Sequence, residues 1–217
     1  MNVKIFYTVF VLRKALMIQF TGDLIMIKIG KIAPEFHCDA VVDGSIKRIS
    51  LADYPQDYKL LFFYPLDFTF VCPTELHALQ DNITEFKKRH VQPIAISVDS
   101  VHTHLAWLNT PKTCGGIEGV TIPLVSDIHK NVARAYDVLN EEAGVSLRGV
   151  FLLDKHNVVQ FASINNFALG RNVNEILRVI DALQHVEKNG EVCPANWNVG
   201  DRAMIATRDG LVEYFSE

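Results

Sequence analysis

Cys72 stands in the stretch FYPLDFTFVCPTE, Phe63 to Glu75. An apolar, strand-like run ends at Pro65, a short aromatic-rich loop follows, and a helix begins at the cysteine. Pro73 comes directly after it. Proline is well tolerated in a first helical turn, where its missing N–H has no partner to lose. The free N–H groups of such a turn carry partial positive charge and favour a thiolate over a thiol. Thr69, three residues earlier, supplies a hydroxyl that both donates and accepts. Arg148 opens a later strand after GVSL and can bring a fixed positive charge to the same sheet edge. Thiolate, hydroxyl and guanidinium together suit a small polar O–O substrate. The thiolate attacks one oxygen, and the donors stabilise charge on the departing one. A free cysteine is most often a small buried hydrophobe; the helix start and the Pro-loop-Thr-x-x-Cys-Pro context argue against that reading here.

Oxidation of Cys72 gives a sulfenic acid, which a second thiol can convert to a disulfide. Cys193, in EVCPANW on an irregular tail, is the best candidate, and Pro194 and Trp197 beside it suggest a docked segment. Cys38, next to His37 in a loop-like region, and Cys114, before Gly115 and Gly116, lack partners at meaningful spacing and read as bystanders.

Positioning these groups requires a sheet with helices. Tyr58–Pro65 and Val91–Asp99 read as buried strands covered on both faces. Asp43–Leu51 reads as a turn and a short strand. Cys72 to His90 reads as one helix with Leu76, Leu79, Ile83 and Phe86 on one face and Lys87, Lys88 and Arg89 at its C-terminal end. Two further helices are expected, from Val101 and over His129–Val138. Arg148–Ile164 reads as a hairpin about a Lys-His-Asn turn, and Asn172–Lys188 is the clearest amphipathic helix. This pattern predicts an α/β sandwich with a mixed central sheet and helices on both faces. The expected organisation is an extension outside the fold over 1–25, the main domain over 26–188, and an extended tail with one short helix over 189–217.

Composition narrows the function. The 217 residues are 49% hydrophobic and 21% charged with a net charge of −4, a globular composition with no basic block longer than Lys87–Arg89, so no nucleic-acid footprint is present. Four cysteines without a C-x-x-C pair are not a disulfide scaffold and fit a reducing, cytoplasmic setting. The apolar run Ile5–Leu12 is too short to span a bilayer, and Met17 and Met26 offer later starts, so no membrane association is expected. No dinucleotide fingerprint, Walker loop, G-x-S-x-G or H-E-x-x-H occurs. His102 and His104 face different sides of a helix and make a poor metal pair. The sequon Asn82–Thr84 falls inside the expected long helix.

The chain resembles the typical two-cysteine peroxiredoxins of the alkyl hydroperoxide reductase C type. The family's P-x-x-x-T-x-x-C motif stands as Pro65, Thr69 and Cys72, and SVDS, HLAWLNTP, LRGVFLLD, GRNVNEILR and VCPANW also match, from about Ile29 to the C-terminus. The resemblance implies an elaborated thioredoxin-like fold. It implies that Cys72 is the peroxidatic cysteine, Cys193 the resolving cysteine and Arg148 the active-site arginine, with Glu75 and Arg171 as supporting carboxylate and second arginine. It implies reduction of hydrogen peroxide and organic hydroperoxides without metal, flavin or other cofactor. The resolving thiol would come from the partner subunit of an antiparallel homodimer, with dimers forming decamers. The electron donor would be thioredoxin or a dedicated flavoprotein disulfide reductase. A thiol–disulfide oxidoreductase would need C-x-x-C at the helix start, but Thr69 and Glu75 flank Cys72 instead. A holdase would use apolar surface rather than the thiol. One departure concerns the family's Gly-Gly-Leu-Gly motif, which stands here as Gly115, Gly116, Ile117 and Glu118, with Gly119 one place late. The tail does end in Tyr214–Phe215, and the tail helix is expected to pack over the Cys72 helix.

Overall fold

The computed structural model describes residues 29–55 and 57–216. The expected extension over 1–25 and the alternative starts Met17 and Met26 lie outside the described residues. Strand β3 (Tyr58–Phe63) is an interior strand of a seven-stranded mixed sheet, and all six of its residues are buried. It runs parallel to β4 (Val91–Ser97) and antiparallel to β8 (Arg148–Leu153). Beyond β4 come β5 (Leu124–Ser126), β1 (His37–Val42) and β2 (Ser45–Ser50); beyond β8 comes β9 (Val159–Asn165). A small ribbon, β6 (Leu139–Asn140) with β7 (Val145–Ser146), stands apart.

Alternate side chains of β3 serve two cores, which is why its sequence is a continuous apolar run. Leu60 and Phe62 pack with Leu76, Leu79, Trp107 and Ile180; Leu61 and Phe63 pack with Phe36, Tyr136 and Phe151. The first core is roofed by the helices α1 (Cys72–Asp81), α2 (Ile83–Lys88), α3 (Val101–Leu108) and α5 (Val173–Asn189). The second holds the short α4 (Asn131–Ala135). Helix α5 begins where the Asn172 side chain accepts from the N–H groups of Asn174 and Glu175, and it ends at Gly190 in the left-handed region.

The structure corrects four expectations. The single helix expected from Cys72 to His90 is two. Asn82 leaves helical geometry (φ −100°, ψ 10°), its amide donates to the Ala78 carbonyl at 2.9 Å, and its own carbonyl starts α2 by accepting from Glu85 and Phe86. The sequon asparagine therefore lies at a helix junction. Cys38 is in strand β1 rather than a loop. The hairpin β1–β2 turns at Asp43 and Gly44, both with positive φ, so the expected single strand is the second half of a pair. The tail helix α6 (Arg208–Phe215), capped by Thr207, buries no residue within the chain, and Leu211, Val212 and Phe215 are exposed. The packing expected over the Cys72 helix is thus not made within one subunit.

Lys59 is the unexpected member of β3. It is 1% exposed, and its ammonium makes no hydrogen bond or ion pair with any described residue. Burial lowers its pKa from 10.5, while Asp57, Asp154 and Glu35 pull it back upward from a distance. The side-chain stem is buried while the ammonium keeps contact with water, since it is not among the buried polar atoms without a partner. Lys59→Met, which keeps the length of the side chain, is expected to raise stability at neutral pH by less than about 1 kcal/mol. The folded state binds fewer protons here than the unfolded one between the lowered value and the ordinary 10.5, so wild-type stability contains an increment that grows with pH across that window. The variant should lack that increment. Urea titrations at pH 7 and pH 10 measure both effects, and a less stable Lys59→Met protein would contradict them.

Candidate active site

The chain leaves the buried end of β3 at Tyr64, crosses the Pro65–Phe70 loop and enters α1 with Val71 as its cap residue. Cys72 is the first helical residue and Pro73 the second, so the thiol stands at the N-terminal end of α1, the positive end of the helix dipole. The Cys72 side chain is 0% exposed. Arg148, the first residue of β8, directs its Nη1 to the sulfur at 3.3 Å. The same nitrogen donates to Glu75 Oε2 at 2.8 Å. Outside lies an apolar cavity of about 460 Å³ bounded by Pro65, Thr69, Val71, Arg148 and Phe167.

Glu75, one helical turn beyond Cys72, is the hub. It accepts from Arg148 and, on both oxygens, from Arg171 Nε and Nη2 at 2.9 Å each. The Arg171 backbone N–H adds a fourth bond at 2.9 Å. Arg171 also donates to the carbonyls of Phe63 and Gly149, both at 2.7 Å, and lies over the Phe62 ring. Burial pushes the Arg171 guanidinium below its usual range and Glu75 pulls it back. One carboxylate thus fixes two guanidiniums and ties α1 to β3 and β8.

Thr69 is in the pocket, but its hydroxyl donates to the Leu66 carbonyl at 2.9 Å. Its lone pairs face the task of accepting, and the donor in contact with sulfur is Arg148. Pro65 is buried at the start of the loop. A clamp that sequence reasoning missed holds that loop. Asp67 accepts from the Tyr64 hydroxyl at 2.8 Å and pairs with His104 Nδ1 at 2.7 Å; His104 Nε2 meets the Val125 carbonyl at 3.2 Å. The Asp67 N–H donates to Asp99 at 2.9 Å. Phe68, next in the chain, is held at φ 53°, a conformation that needs such over-determination in a phenylalanine. His104 is fully buried in this clamp while His102 is exposed, so the two histidines do face apart. No cluster of three metal-ligating side chains occurs among the described residues.

Cys193 is elsewhere. It borders a separate cavity with Leu152, Phe161, Val179 and Ala182, and its thiol points to the Ala182 carbonyl at 3.7 Å. Burial raises its pKa. Leu152 is four positions along β8 from Arg148, about 13 Å at the usual strand rise. All four thiols are free. Cys38 is half-buried and its thiol is pushed up to about 11, chiefly by burial; Cys114 is exposed at the end of a short turn. Neither approaches Arg148.

Residues 29–162 match the AhpC/TSA family, and residues 182–217, which include Cys193, match the C-terminal domain of 1-Cys peroxiredoxin. Peroxiredoxin-2 of Bos taurus is 46% identical over 189 residues, 87% of this chain and 95% of its own length. A thioredoxin peroxidase of Echinococcus granulosus is 46% identical over 188 residues, 87% of this chain and 97% of its own. The crystal structure of a reduced 2-Cys peroxiredoxin from Plasmodium vivax superposes with a TM-score of 0.85 at 46% identity, covering 87% of this chain and 98% of that one. The mixed sheet with helices on both faces is therefore the thioredoxin-like arrangement of these structures.

Proposed function

We propose the following mechanism for a chain that belongs to the AhpC/TSA family, as a two-cysteine peroxiredoxin that reduces peroxides with thiols. The Cys72 thiolate attacks the terminal oxygen of hydrogen peroxide or an organic hydroperoxide. The S–O bond forms as the O–O bond breaks, the departing oxygen leaves as hydroxide or alkoxide, and a proton converts it to water or alcohol. Arg148 stabilises the thiolate before the attack and the developing oxyanion during it. Glu75 and Arg171 hold Arg148 in place. Thr69 accepts from the peroxide hydroxyl, and Pro65 sets the loop. Cys193 of the partner subunit then attacks the sulfenic sulfur, forming the S–S bond and expelling hydroxide. A thioredoxin-like donor or a dedicated flavoprotein disulfide reductase restores both thiols.

One observation carries this reading: a guanidinium fixed 3.3 Å from a buried thiol at a helix start, itself held by a buried carboxylate. Placement of Cys193 in a different cavity, about 13 Å away along β8, supports a disulfide between chains over one within a chain. We further assign the subunit to an antiparallel homodimer and the dimers to a decamer. Residues 26–188 form the catalytic unit, 189–217 carry the resolving thiol, and 1–25 are dispensable. The four free thiols fit the cytoplasm.

Non-reducing electrophoresis after one equivalent of peroxide tests the assignment. Wild type should run as a disulfide-linked dimer. Cys193→Ser should abolish that band while still consuming one equivalent, and Cys72→Ser should abolish peroxide consumption. A monomeric wild-type band would overturn the intersubunit step. A chain starting at Met26 should keep full activity.

A further inference from the structure

The loop that carries Pro65 and Thr69 is pinned at one residue, Asp67, whose side chain is 0% exposed. One oxygen of its carboxyl accepts from the Tyr64 hydroxyl, and the other meets His104 Nδ1 at 2.7 Å. Its backbone N–H donates to Asp99, which also accepts from Ser97 Oγ at 2.9 Å. His104 and Trp107 lie three apart on α3 and so share a face. The ring of Phe68, next after Asp67, lies 5.9 Å from the Trp107 ring, and Trp107 Nε1 donates to the Gly115 carbonyl at 2.9 Å. Asp67 and Phe68 are thereby fastened to α3.

The proton count of the buried pair follows from its partners. A carbonyl oxygen only accepts, so His104 Nε2, facing the Val125 carbonyl at 3.2 Å, carries a hydrogen. Two bare acceptors do not sit 2.7 Å apart, so a second hydrogen lies between Nδ1 and Asp67 Oδ2. Whichever atom holds it, imidazole and carboxyl together carry no net charge. That matters in the loop leading to Cys72, because a buried carboxylate left uncompensated there would oppose the thiolate. The consequence for the reaction lies in Thr69. Its hydroxyl donates to the Leu66 carbonyl, which leaves its lone pairs for the cavity it borders. Leu66 and Thr69 stand on either side of Asp67 in the chain, so fixing Asp67 fixes acceptor and donor of that bond together.

We propose that Asp67 and His104 are positioning residues for the peroxide reaction, a neutral pair that anchors the loop to α3 and so aims the Thr69 oxygen at the substrate hydroxyl. The inference rests on the reading of Cys72 as the attacking thiol and of Thr69 as the acceptor. Arg148, which favours the thiolate, is held by other contacts, Glu75 and the Phe167 carbonyl. Loss of the clamp therefore spares the thiolate and misplaces the peroxide, and a misplacement of about 1 Å costs about 100-fold.

Two single-turnover reactions of Cys72 separate these effects: reduction of hydrogen peroxide, which uses the loop, and alkylation by iodoacetamide, read at Cys72 by mass spectrometry, which needs the thiolate alone. In Asp67→Ala and in His104→Ala the peroxide rate should fall about 100-fold while alkylation stays within about threefold of wild type. Asp67→Asn should return both rates to within about threefold of wild type. Its amide oxygen accepts from Tyr64, and its amide nitrogen donates to Nδ1 of a neutral His104 that still donates to Val125. In a Thr69→Val background, Asp67→Ala should slow peroxide reduction by less than about threefold more, since the hydroxyl it aims is gone. Tyr64→Phe, which keeps the ring and loses one bond of ordinary strength, should cost about fivefold and serves if the alanine variants do not fold. A folded Asp67→Ala or Tyr64→Phe protein with the wild-type peroxide rate, or one in which both reactions slow together, would overturn the positioning role. An Asp67→Asn protein as slow as Asp67→Ala would overturn the neutral pair. Peroxide reduction that survives in Cys72→Ser would instead overturn the reading of Cys72, and the role of the clamp with it.

Discussion

Glu75→Ala is expected to remove 3–5 kcal/mol or more of stability, about the cost of stripping the partner from a buried charge. Folded domains are stable by only about 5–15 kcal/mol, so this variant should be close to unfolding. The reason is local. The side chains of Arg148 and Arg171 are both buried, and among the described residues Glu75 is the only carboxylate that either contacts. Arg171 would keep its bonds to the Phe63 and Gly149 carbonyls, which orient the guanidinium but do not neutralise it. Two cations would then face each other in a site already drawn downward by burial at Arg171. Glu75→Gln retains an acceptor of the same shape and should cost less. The double variant Glu75→Ala/Arg171→Met should recover part of the loss, because it removes one of the stranded charges. Thermal and urea unfolding followed by circular dichroism measures all three. A Glu75→Ala protein within 1 kcal/mol of wild type, an order-of-magnitude bound set by ordinary surface substitutions, would show that water or a rearranged side chain takes over.

Much of the frame was legible in the sequence because strong local signals and tertiary demand coincide there. The run Tyr58–Phe63 is apolar on both faces, and both faces are buried. The period of Val173, Ile176, Leu177 and Ile180 matches the buried stripe of α5. Elements were missed where those signals are weak. Strand β5 is only three residues long, too short to show a period. Strand β1 alternates poorly, since its buried residues, Ala40 and Val41, are adjacent. At Asn82 the apolar period continues through Ile83 and Phe86, and only the asparagine's turn back to Ala78 breaks the helix.

The site divides the same way. Cys72, Pro73 and the proline-ended strand announce themselves over a dozen residues. Arg148 was placed by its position at a strand start. Arg171 contacts Glu75 across 96 residues of chain, and only family resemblance pointed to it. The Asp67–His104 clamp left no trace in spacing, because a histidine on a helix and an aspartate in a loop are individually ordinary. The tail illustrates a different limit. The helix carrying Tyr214 and Phe215 exposes Leu211, Val212 and Phe215 among the described residues, so no core contact fixes its place.

The last expectation concerns Arg148 itself. Arg148→Met should slow the reaction of Cys72 with peroxide by about 100–1,000-fold, the usual effect of removing one aimed donor from a developing oxyanion. The guanidinium nitrogen at 3.3 Å from sulfur stands within a site closed to bulk water, where a fixed charge acts with little screening. Methionine fills much of the same volume, and Glu75 keeps its two-oxygen grip on Arg171, so the fold should hold. Arg148→Lys restores charge but not the forked geometry that lets one group reach Glu75 and the sulfur together, and should recover only part of the rate. The readout is the second-order rate of the first step, taken under single turnover so that Cys193 and the donor play no part. The disulfide-forming phase that follows should change far less, because the Cys193 thiol and its docking segment do not touch Arg148. A Met variant within threefold of wild type would shift the burden of activating the thiol to the α1 N–H groups, and the expected order of the three proteins, wild type above Lys above Met, would then collapse.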